Sequence, residues 1–258
     1  MLKLYKHFPQ MKIVVTGPIV ANAKKIMHEV PVHACIKGEY EKGIVRVLEG
    51  EEGILEHDLL TKKEMNEAPF PWFDEEHAYL YWDENPLGQH PPQAQVWSSR
   101  GCPYNCSYCY VSILRDVYDE KGKKFYRARS VEHILGELDH IKKTFPKVAR
   151  IKVDDDTSFA FGDAWMEEFL EKYPKRVGIP FECLLIPPMM RPPMLRKLKK
   201  AGLVRVQTGI ESGSSKESKE LHNRSPGNTA ILKFAEANKE MKLSVVYDVI
   251  IDNPHATE

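Results

Sequence analysis

From residue 94 onward the chain alternates short apolar strands with amphipathic helical segments. This alternation is typical of a parallel sheet covered by helices, and right-handed crossovers curl such a sheet toward a barrel. Five strands are predicted, at 95–98, 150–153, 181–186, 203–207 and 244–251. Helices are predicted at 130–145, 163–173, 194–201 and 228–241. Functional residues in these folds lie at the carboxyl ends of the strands, so we expect the chemistry immediately after them.

The residues before this region have a different organisation. Within residues 1–50, an apolar run at 12–16 is followed by a Gly17-Pro18 turn and a helical segment, which predicts the end of a separate α/β sheet domain. Residues 51–93 are rich in acidic, proline and aromatic residues and are predicted to form a connecting arm. The predicted domains are therefore 1–50, 51–93 and 94–258.

Composition excludes several classes of protein. Thirty-seven basic residues balance 37 acidic ones among 258 residues, which favours a small-molecule substrate over nucleic acid. No apolar run approaches the roughly 18 residues of a membrane span, so no membrane partner is expected. The first ten residues lack the apolar core of a signal peptide, which makes the cytoplasm the expected compartment.

Three of the five cysteines follow the first predicted strand of the alternating region. Cys102, Cys106 and Cys109 have C-x3-C-x2-C spacing in a turn-rich loop. Thiolates suit zinc or an iron-sulfur cluster; a structural zinc ion would need a fourth ligand such as His90 or an acidic residue, whereas a cluster can leave one iron open. Cys35 and Cys183 lie within apolar runs and are predicted to be packing residues.

Polar residues also follow two later strands. Asp154, Asp155 and Asp156 follow the second, and this density of negative charge favours a cationic partner, a divalent metal ion or helix capping. The fourth strand is followed by Gly209-Ile210-Glu211-Ser212-Gly213, where glycines allow close approach of a ligand and the polar side chains suit a ribose.

The C-x3-C-x-aromatic-C loop after the first strand of a β/α barrel resembles the signature of the radical S-adenosylmethionine (SAM) superfamily. The resemblance covers residues 94–258 and implies a partial (β/α)6 barrel with about five strands. It implies an enzyme whose 4Fe-4S cluster, held by Cys102, Cys106 and Cys109, cleaves SAM reductively to a 5′-deoxyadenosyl radical. An external electron donor such as flavodoxin or ferredoxin is implied as a partner.

The same resemblance assigns SAM-binding residues at each strand end. Asp155 and Asp156 would meet the ammonium of SAM, Arg224 its carboxylate, and the backbone around Ile250 its adenine. Asp252, just after that last strand, replaces a common glycine. The full predicted set is Tyr108, Asp155, Asp156, Glu211, Ser212, Arg224 and Ile250.

Residues 1–50 resemble the last third of the Rossmann-like cobalamin-binding domain that precedes the barrel in one branch of this superfamily. In that branch Gly17 would lie beside the cobalamin tail, which makes cobalamin a candidate third cofactor and methyl transfer or a related radical reaction a candidate outcome. The lower-ligand motif of that domain and the sixth barrel strand are not found, so we expect a chain truncated at both ends or one that does not bind cobalamin.

Two other functions are weighed against this interpretation. A methylthiotransferase would carry a second cysteine triad upstream, but residues 1–93 contain only Cys35. A zinc- or cluster-binding module without catalysis would keep the cysteines and lack a working SAM pocket.

Overall fold

The structure is a computed structural model that describes residues 7–8, 10–56, 59–71, 92–118, 125–187, 191–224 and 227–251. The chain divides into two compact units. The first comprises Met1–Glu64 and Cys109–Phe125, and the second comprises Met65–Tyr108 and Tyr126–Glu258.

The first unit contains a three-stranded parallel sheet with its strands in chain order. A 3-10 helix, Pro18–Asn22, follows the first strand. The sheet packs around Ala34, Cys35 and Ile36, which are fully buried. Its elements are β1 (Val14–Val15), α1 (Ala23–Glu29), β2 (Ala34–Ile36), α2 (Tyr40–Leu48), β3 (Gly53–Leu55) and, after the cysteine loop, α4 (Tyr110–Tyr118). Helix α3 (Lys62–Glu67) lies at the division between the units.

The second unit contains a five-stranded sheet in the order β10, β9, β8, β7, β4, with every neighbouring pair parallel. Its strands are β4 (Gln93–Val96), β7 (Arg150–Val153), β8 (Phe181–Leu184), β9 (Leu203–Glu211) and β10 (Ser244–Val249). A small antiparallel pair is formed by β5 (Ser99–Arg100) and β6 (Arg127–Ala128). Its helices are α5 (Val131–Thr144), α6 (Asp163–Arg176), α7 (Pro192–Ala201), α8 (Ser215–Glu220) and α9 (Asn228–Glu240).

Side-chain and backbone caps define the ends of these helices. The Ser130 hydroxyl accepts a hydrogen bond from the His133 N–H at 3.2 Å and caps α5, as its sequence position predicts. Gly202 ends α7 in the left-handed conformation at φ 116°, which a residue with a side chain adopts only with strain. These signals are local, so the sequence alone locates them.

The predicted α/β class and the five parallel strands are confirmed, with some differences in bounds. Strand β9 continues beyond Gln207 to Glu211, because Thr208 and Gly209 pair with β10. Helix α6 continues past Pro174 to Arg176, where the Tyr173 carbonyl accepts bonds from the N–H groups of Val177 and Gly178. Asp163 is the first residue of this helix, as the predicted range has it, and Gly162 occupies the N-cap position.

The two faces of the five-stranded sheet differ in polarity. Alternate residues such as Ile151, Val153 and Val206 are buried with helix residues in one apolar core. The residues between them are polar.

Within the described ranges no helix is long and apolar enough to cross a membrane. The described part of the predicted connecting arm contains β3 and α3, whereas about half of the arm lies outside the described residues, as do His90 and everything after Ile251.

Candidate functional site

The cysteine loop leaves the carboxyl end of β4 through the short strand β5. Gly101 is buried and has φ 76°, so the chain turns sharply just before Cys102. Cys102 and Cys106 are half-buried in the second unit. Cys109 is also half-buried and directly precedes α4 in the first unit, where its carbonyl accepts from the Ser112 N–H at 3.1 Å.

The part of this loop between Cys102 and Tyr108 is bonded to the turn after α8. The Ser107 N–H donates to the His222 carbonyl at 3.2 Å, and the Ser107 hydroxyl donates to the Leu221 carbonyl. The Asn223 side-chain amide donates to the Asn105 carbonyl at 2.7 Å. These contacts join residues more than 100 positions apart in the chain, so they bring the cysteine loop to the turn that carries Arg224.

Arg224 connects the cysteine loop to the end of β9. Its Nη1 donates to the Tyr108 hydroxyl at 2.8 Å and to Glu211 Oε1 at 2.7 Å, and its Nη2 donates to the Gly209 carbonyl at 2.9 Å. The ring of Tyr108 packs edge-on against His222, with ring centroids 5.2 Å apart. Three of the predicted SAM-binding residues, Tyr108, Glu211 and Arg224, therefore share one hydrogen-bond network.

The electrostatics of this network centre on the guanidinium. Partial burial alone lowers the pKa of Arg224, but the hydroxyl of Tyr108 and the charges of Glu211 and Cys106 outweigh it, so the pKa is raised. Burial raises the pKa of Tyr104, and negative charge on Cys102 and Cys106 raises it further while Arg224 opposes the shift. The fixed positive charge of Arg224 thus acts on the same tyrosine as two of the candidate cluster ligands.

Glu211 owes its direction to an irregularity in the sheet. The register between β9 and β10 shifts at Asp248 and Val249, so that Gly209 pairs with Asp248 and Glu211 pairs with Val249. Glu211 has φ 60°, a conformation that non-glycine residues rarely adopt and that often marks functional sites. Its carbonyl accepts from the Ile250 N–H at 2.9 Å, so the predicted adenine strand is bonded to the same residue.

Ser212 has partners of its own within the following turn. Its buried hydroxyl donates to Glu217 Oε2 at 2.6 Å and accepts from the Ser214 N–H at 3.0 Å. The predicted contact of this hydroxyl with a ribose stays a prediction, since the structure shows it ordering the turn before α8.

The two predicted acids after β7 lie in different environments. Asp155 is 4% exposed, and its carboxylate accepts hydrogen bonds from Ser98 and Ser99 at the end of β4. Asp156 is exposed. The structure therefore brings Asp155 to the start of the cysteine loop, whereas the side chain of Asp156 is exposed.

The donor set fits an iron-sulfur cluster in its chemistry. Three thiols in one loop, none of them fully buried, are the soft ligands that such clusters use. Among the described residues, however, no group of three or more His, Cys, Asp or Glu side chains is close enough to hold a metal ion. The assignment of the three cysteines as ligands therefore rests on residue type, spacing and exposure.

The other two cysteines have a different environment. Cys35 is fully buried and Cys183 is 3% exposed, and burial raises the pKa of both thiols, Cys183 well above its usual range. A neutral buried thiol is a poor metal ligand, which agrees with the packing role predicted for both. Gly17, the predicted cobalamin neighbour, follows β1 with φ 84°.

A polar cavity that was not predicted from the sequence lies on the sheet face opposite the apolar core. Its volume is about 350 Å³, and its lining includes Gln93, Lys152, Glu182, Arg205 and Gln207. Parallel strands are usually apolar on both faces, so the polar residues alternating along QAQV, RIKV and FECL are the signal that could have revealed it. Oε2 of Glu182, a lining residue, is 3.9 Å from Nη1 of Arg205 and 3.6 Å from Nη1 of Arg150.

Comparisons with known proteins agree with this architecture. A search of curated proteins gave no match. Among solved structures, the chain is similar to the cobalamin-dependent S-adenosylmethionine radical enzyme OxsB with aqua-cobalamin and S-adenosylmethionine bound, at 17% identity and a TM-score of 0.64, covering 96% of this chain and 38% of that one. It is also similar to the radical S-adenosylmethionine methyltransferase TsrM from Kitasatospora setae with cobalamin and a 4Fe-4S cluster bound, at 14% identity and a TM-score of 0.50, covering 62% and 31%.

These likenesses establish the fold, and the chain spans well under half the length of either protein. A comparison with protein-family models identifies the family. The Radical SAM superfamily matches residues 98–258, which is more than half of the 258 residues and includes the cysteine loop, the acids after β7 and Arg224. The chain therefore belongs to the Radical SAM superfamily.

Proposed function

We propose that this chain is the cluster- and SAM-binding part of a radical SAM enzyme, with Cys102, Cys106 and Cys109 as the cluster ligands. Members of the superfamily use a 4Fe-4S cluster and SAM, and when bound the reduced cluster supplies the electron that cleaves SAM. The observation that carries the proposal is the placement of Arg224, which bonds to Tyr108 of the cysteine loop and to Glu211 at the end of β9.

The residues around Arg224 have complementary tasks in SAM binding. A guanidinium binds a carboxylate through paired hydrogen bonds, so we assign Arg224 to the carboxylate of SAM. Glu211 and the Gly209 carbonyl hold the guanidinium in place, and Tyr108 joins it to the cysteine loop. We assign the exposed Asp156 to the ammonium, Ser212 and Glu211 to the ribose side, and the backbone at Ile250 to the adenine.

A place in the cobalamin-associated branch is supported by the fold likeness to OxsB, which extends over 96% of the chain and so includes the first unit. We propose that residues 1–50 belong to a Rossmann-like domain with Gly17 near a cobalamin, that 51–93 connect, and that 94–258 form the barrel part. The parallel sheet of β1, β2 and β3 supports the Rossmann-like assignment, and β3 extends this sheet beyond residue 50 into the first part of the proposed connection. Methyl transfer or a related radical reaction follows as the proposed outcome.

The polar cavity supports a small, polar substrate. Its lining carries both signs of charge, with Lys152 and Arg205 beside Asp154 and Glu182, together with glutamine amides. Such a surface favours a ligand rich in hydrogen-bonding groups over an apolar one. We propose a substrate of this kind. We also propose that an external donor such as flavodoxin or ferredoxin reduces the cluster.

The test is anaerobic reconstitution of the protein with iron and sulfide, followed by reduction and addition of SAM. We expect cluster absorbance, about four iron atoms per chain, and release of 5′-deoxyadenosine. Alanine at Cys102, Cys106 or Cys109 should abolish both cluster and product, whereas Cys183→Ala should retain them. Zinc in the purified protein without SAM cleavage would overturn the proposal.

Arg224→Ala tests the SAM site separately from the cluster. We expect cluster content to be retained and SAM affinity to fall by about tenfold or more, because a charge-assisted carboxylate contact is lost. Arg196→Ala, on the exposed side of α7, is the matched control. Unchanged SAM affinity in Arg224→Ala would contradict the assignment.

A further inference from the structure

The carboxylate of Asp155 binds the backbone that leads into the cysteine loop. Its Oδ1 accepts from the N–H groups of Ser98 and Ser99 at 2.7 and 2.9 Å, and its Oδ2 accepts from the Ser98 hydroxyl. Ser98 lies 57 residues and Ser99 lies 56 residues earlier in the chain. One side chain at the end of β7 therefore fixes two successive peptide groups beyond the end of β4.

Because these groups are buried, loss of their hydrogen bonds would cost free energy. Asp155 is 4% exposed, Ser98 1% and Ser99 3%, so water cannot readily replace the carboxylate as an acceptor. Asp156, next in the chain, is exposed. The two neighbouring acids thus have separate environments, and Asp155 is directed at protein backbone.

Two contacts with the β6 region hold the same segment. The Ser98 carbonyl accepts from the Arg129 N–H at 3.0 Å, and β5 pairs Ser99 with Ala128. Gly101 then turns the chain with φ 76° into Cys102. The direction in which the loop leaves the sheet is therefore set within three residues of the first candidate cluster ligand.

We propose that Asp155 is a positioning residue that fixes the backbone of Ser98 and Ser99 and thereby sets the placement of Cys102 for the cluster. This role differs from contact with the SAM ammonium, for which Asp156 remains the candidate. The inference rests on the proposed function, since it takes Cys102 as a cluster ligand. Residues that orient metal ligands typically change metal retention by about 10-fold to 100-fold when they are replaced.

The first test uses the cluster-free protein and measures amide hydrogen exchange in a peptide covering residues 97–101. In Asp155→Ala the Ser98 and Ser99 amides lose their acceptor, so we expect exchange there to accelerate by about tenfold. Ile151→Ala, which truncates a fully buried residue of β7, is the control for general loss of stability. Wild-type protection of this peptide in Asp155→Ala would overturn the inference.

The second test measures the rate at which reconstituted protein loses iron to a chelator. We expect Asp155→Ala to lose iron about tenfold faster than wild type. Ile151→Ala should lose iron at close to the wild-type rate, even where its thermal stability is reduced as much as that of Asp155→Ala. Equal acceleration in both variants would reduce Asp155 to a general structural role and overturn the inference. Wild-type protein that takes up no cluster would instead overturn the proposed function.

Two milder variants keep the inference testable if Asp155→Ala does not fold. Asp155→Asn retains one acceptor oxygen, and Ser98→Ala removes only the hydroxyl donor, so both should give intermediate rates of exchange and iron loss. Wild-type rates in both of these folded variants would also overturn it.

Discussion

Glu211 and Gly209 show how two residues in one strand end depend on each other. Glu211 adopts φ 60°, and its carboxylate folds back over Gly209 to reach Arg224. A Cβ atom built on Gly209 would collide with that carboxylate and would lie 3.1 Å from Arg224 Nη1. Gly209 is therefore required by close approach, because the Glu211 carboxylate occupies the space of its missing side chain.

Gly209→Ala should consequently separate Glu211 from Arg224. The pair is largely buried, with side-chain exposures of 13% and 9%, so its loss should lower the free energy of unfolding by about 1 to 3 kcal/mol. We also expect SAM affinity to fall by about tenfold, because Arg224 would no longer be held in position. Thermal denaturation and calorimetric titration of the reconstituted protein with SAM measure the two effects.

Gly213→Ala is the matched control, since a Cβ atom there would meet nothing within 4 Å. It should leave the free energy of unfolding near its wild-type value. If Gly209→Ala were as stable as Gly213→Ala, the contact between Glu211 and Arg224 would not stabilise the protein.

At the scale of elements, the cap of α5 joins this helix to the region before β4. The Ser130 hydroxyl accepts from the His133 N–H, while the Ser130 N–H donates to the Asn66 side chain at 2.7 Å. Ser130→Ala should lower the free energy of unfolding by about 1 kcal/mol, because the cap acceptor is lost. Urea unfolding measures the change, and Ser130→Asp, which restores an acceptor, should recover wild-type stability. Equal stability of wild type and Ser130→Ala would contradict the assigned cap.

The elements also show which features the sequence can predict. Ser130 and Gly202 mark helix ends through local bonds and local backbone geometry, so their roles could be predicted without the fold. The extension of β9 to Glu211 could not, because Thr208 and Gly209 resemble a turn until β10 supplies their pairing partners. Helix α6 likewise continues past Pro174 because buried packing of Tyr173 and a capped carbonyl outweigh the lost N–H.

In the candidate site, too, some features could be predicted from the sequence and others could not. The resemblance to the radical SAM signature indicated Tyr108, Glu211 and Arg224, and the structure brings these three together. The partners of Asp155 could not be predicted, because they lie 56 and 57 residues away and consist mainly of backbone N–H groups, which leave no side-chain pattern.

For the whole molecule, the buried Asp155 links folding to pH. Burial raises its pKa from 3.8 to about 7, against the hydrogen bonds from Ser98 and Ser99, which lower it. The charge of Asp155 acts on two other groups, Tyr126 and Cys183. The pKa of each is raised, first by burial and then by Asp155. Both therefore stay neutral through the range in which Asp155 titrates.

The sign of the resulting pH dependence follows from proton binding. Between about pH 4 and pH 7 the folded protein retains the Asp155 proton that the unfolded chain has released, so stability attributable to this group falls as the pH rises and levels off above about pH 7. The slope is at most about 1.4 kcal/mol per pH unit. Urea unfolding of cluster-free wild type and Asp155→Asn across this range should give curves that diverge, with the neutral asparagine variant losing less stability on going from acid to neutral pH. Parallel curves would show that Asp155 titrates near its usual pKa in the folded protein, because its hydrogen bonds to Ser98 and Ser99 offset its burial.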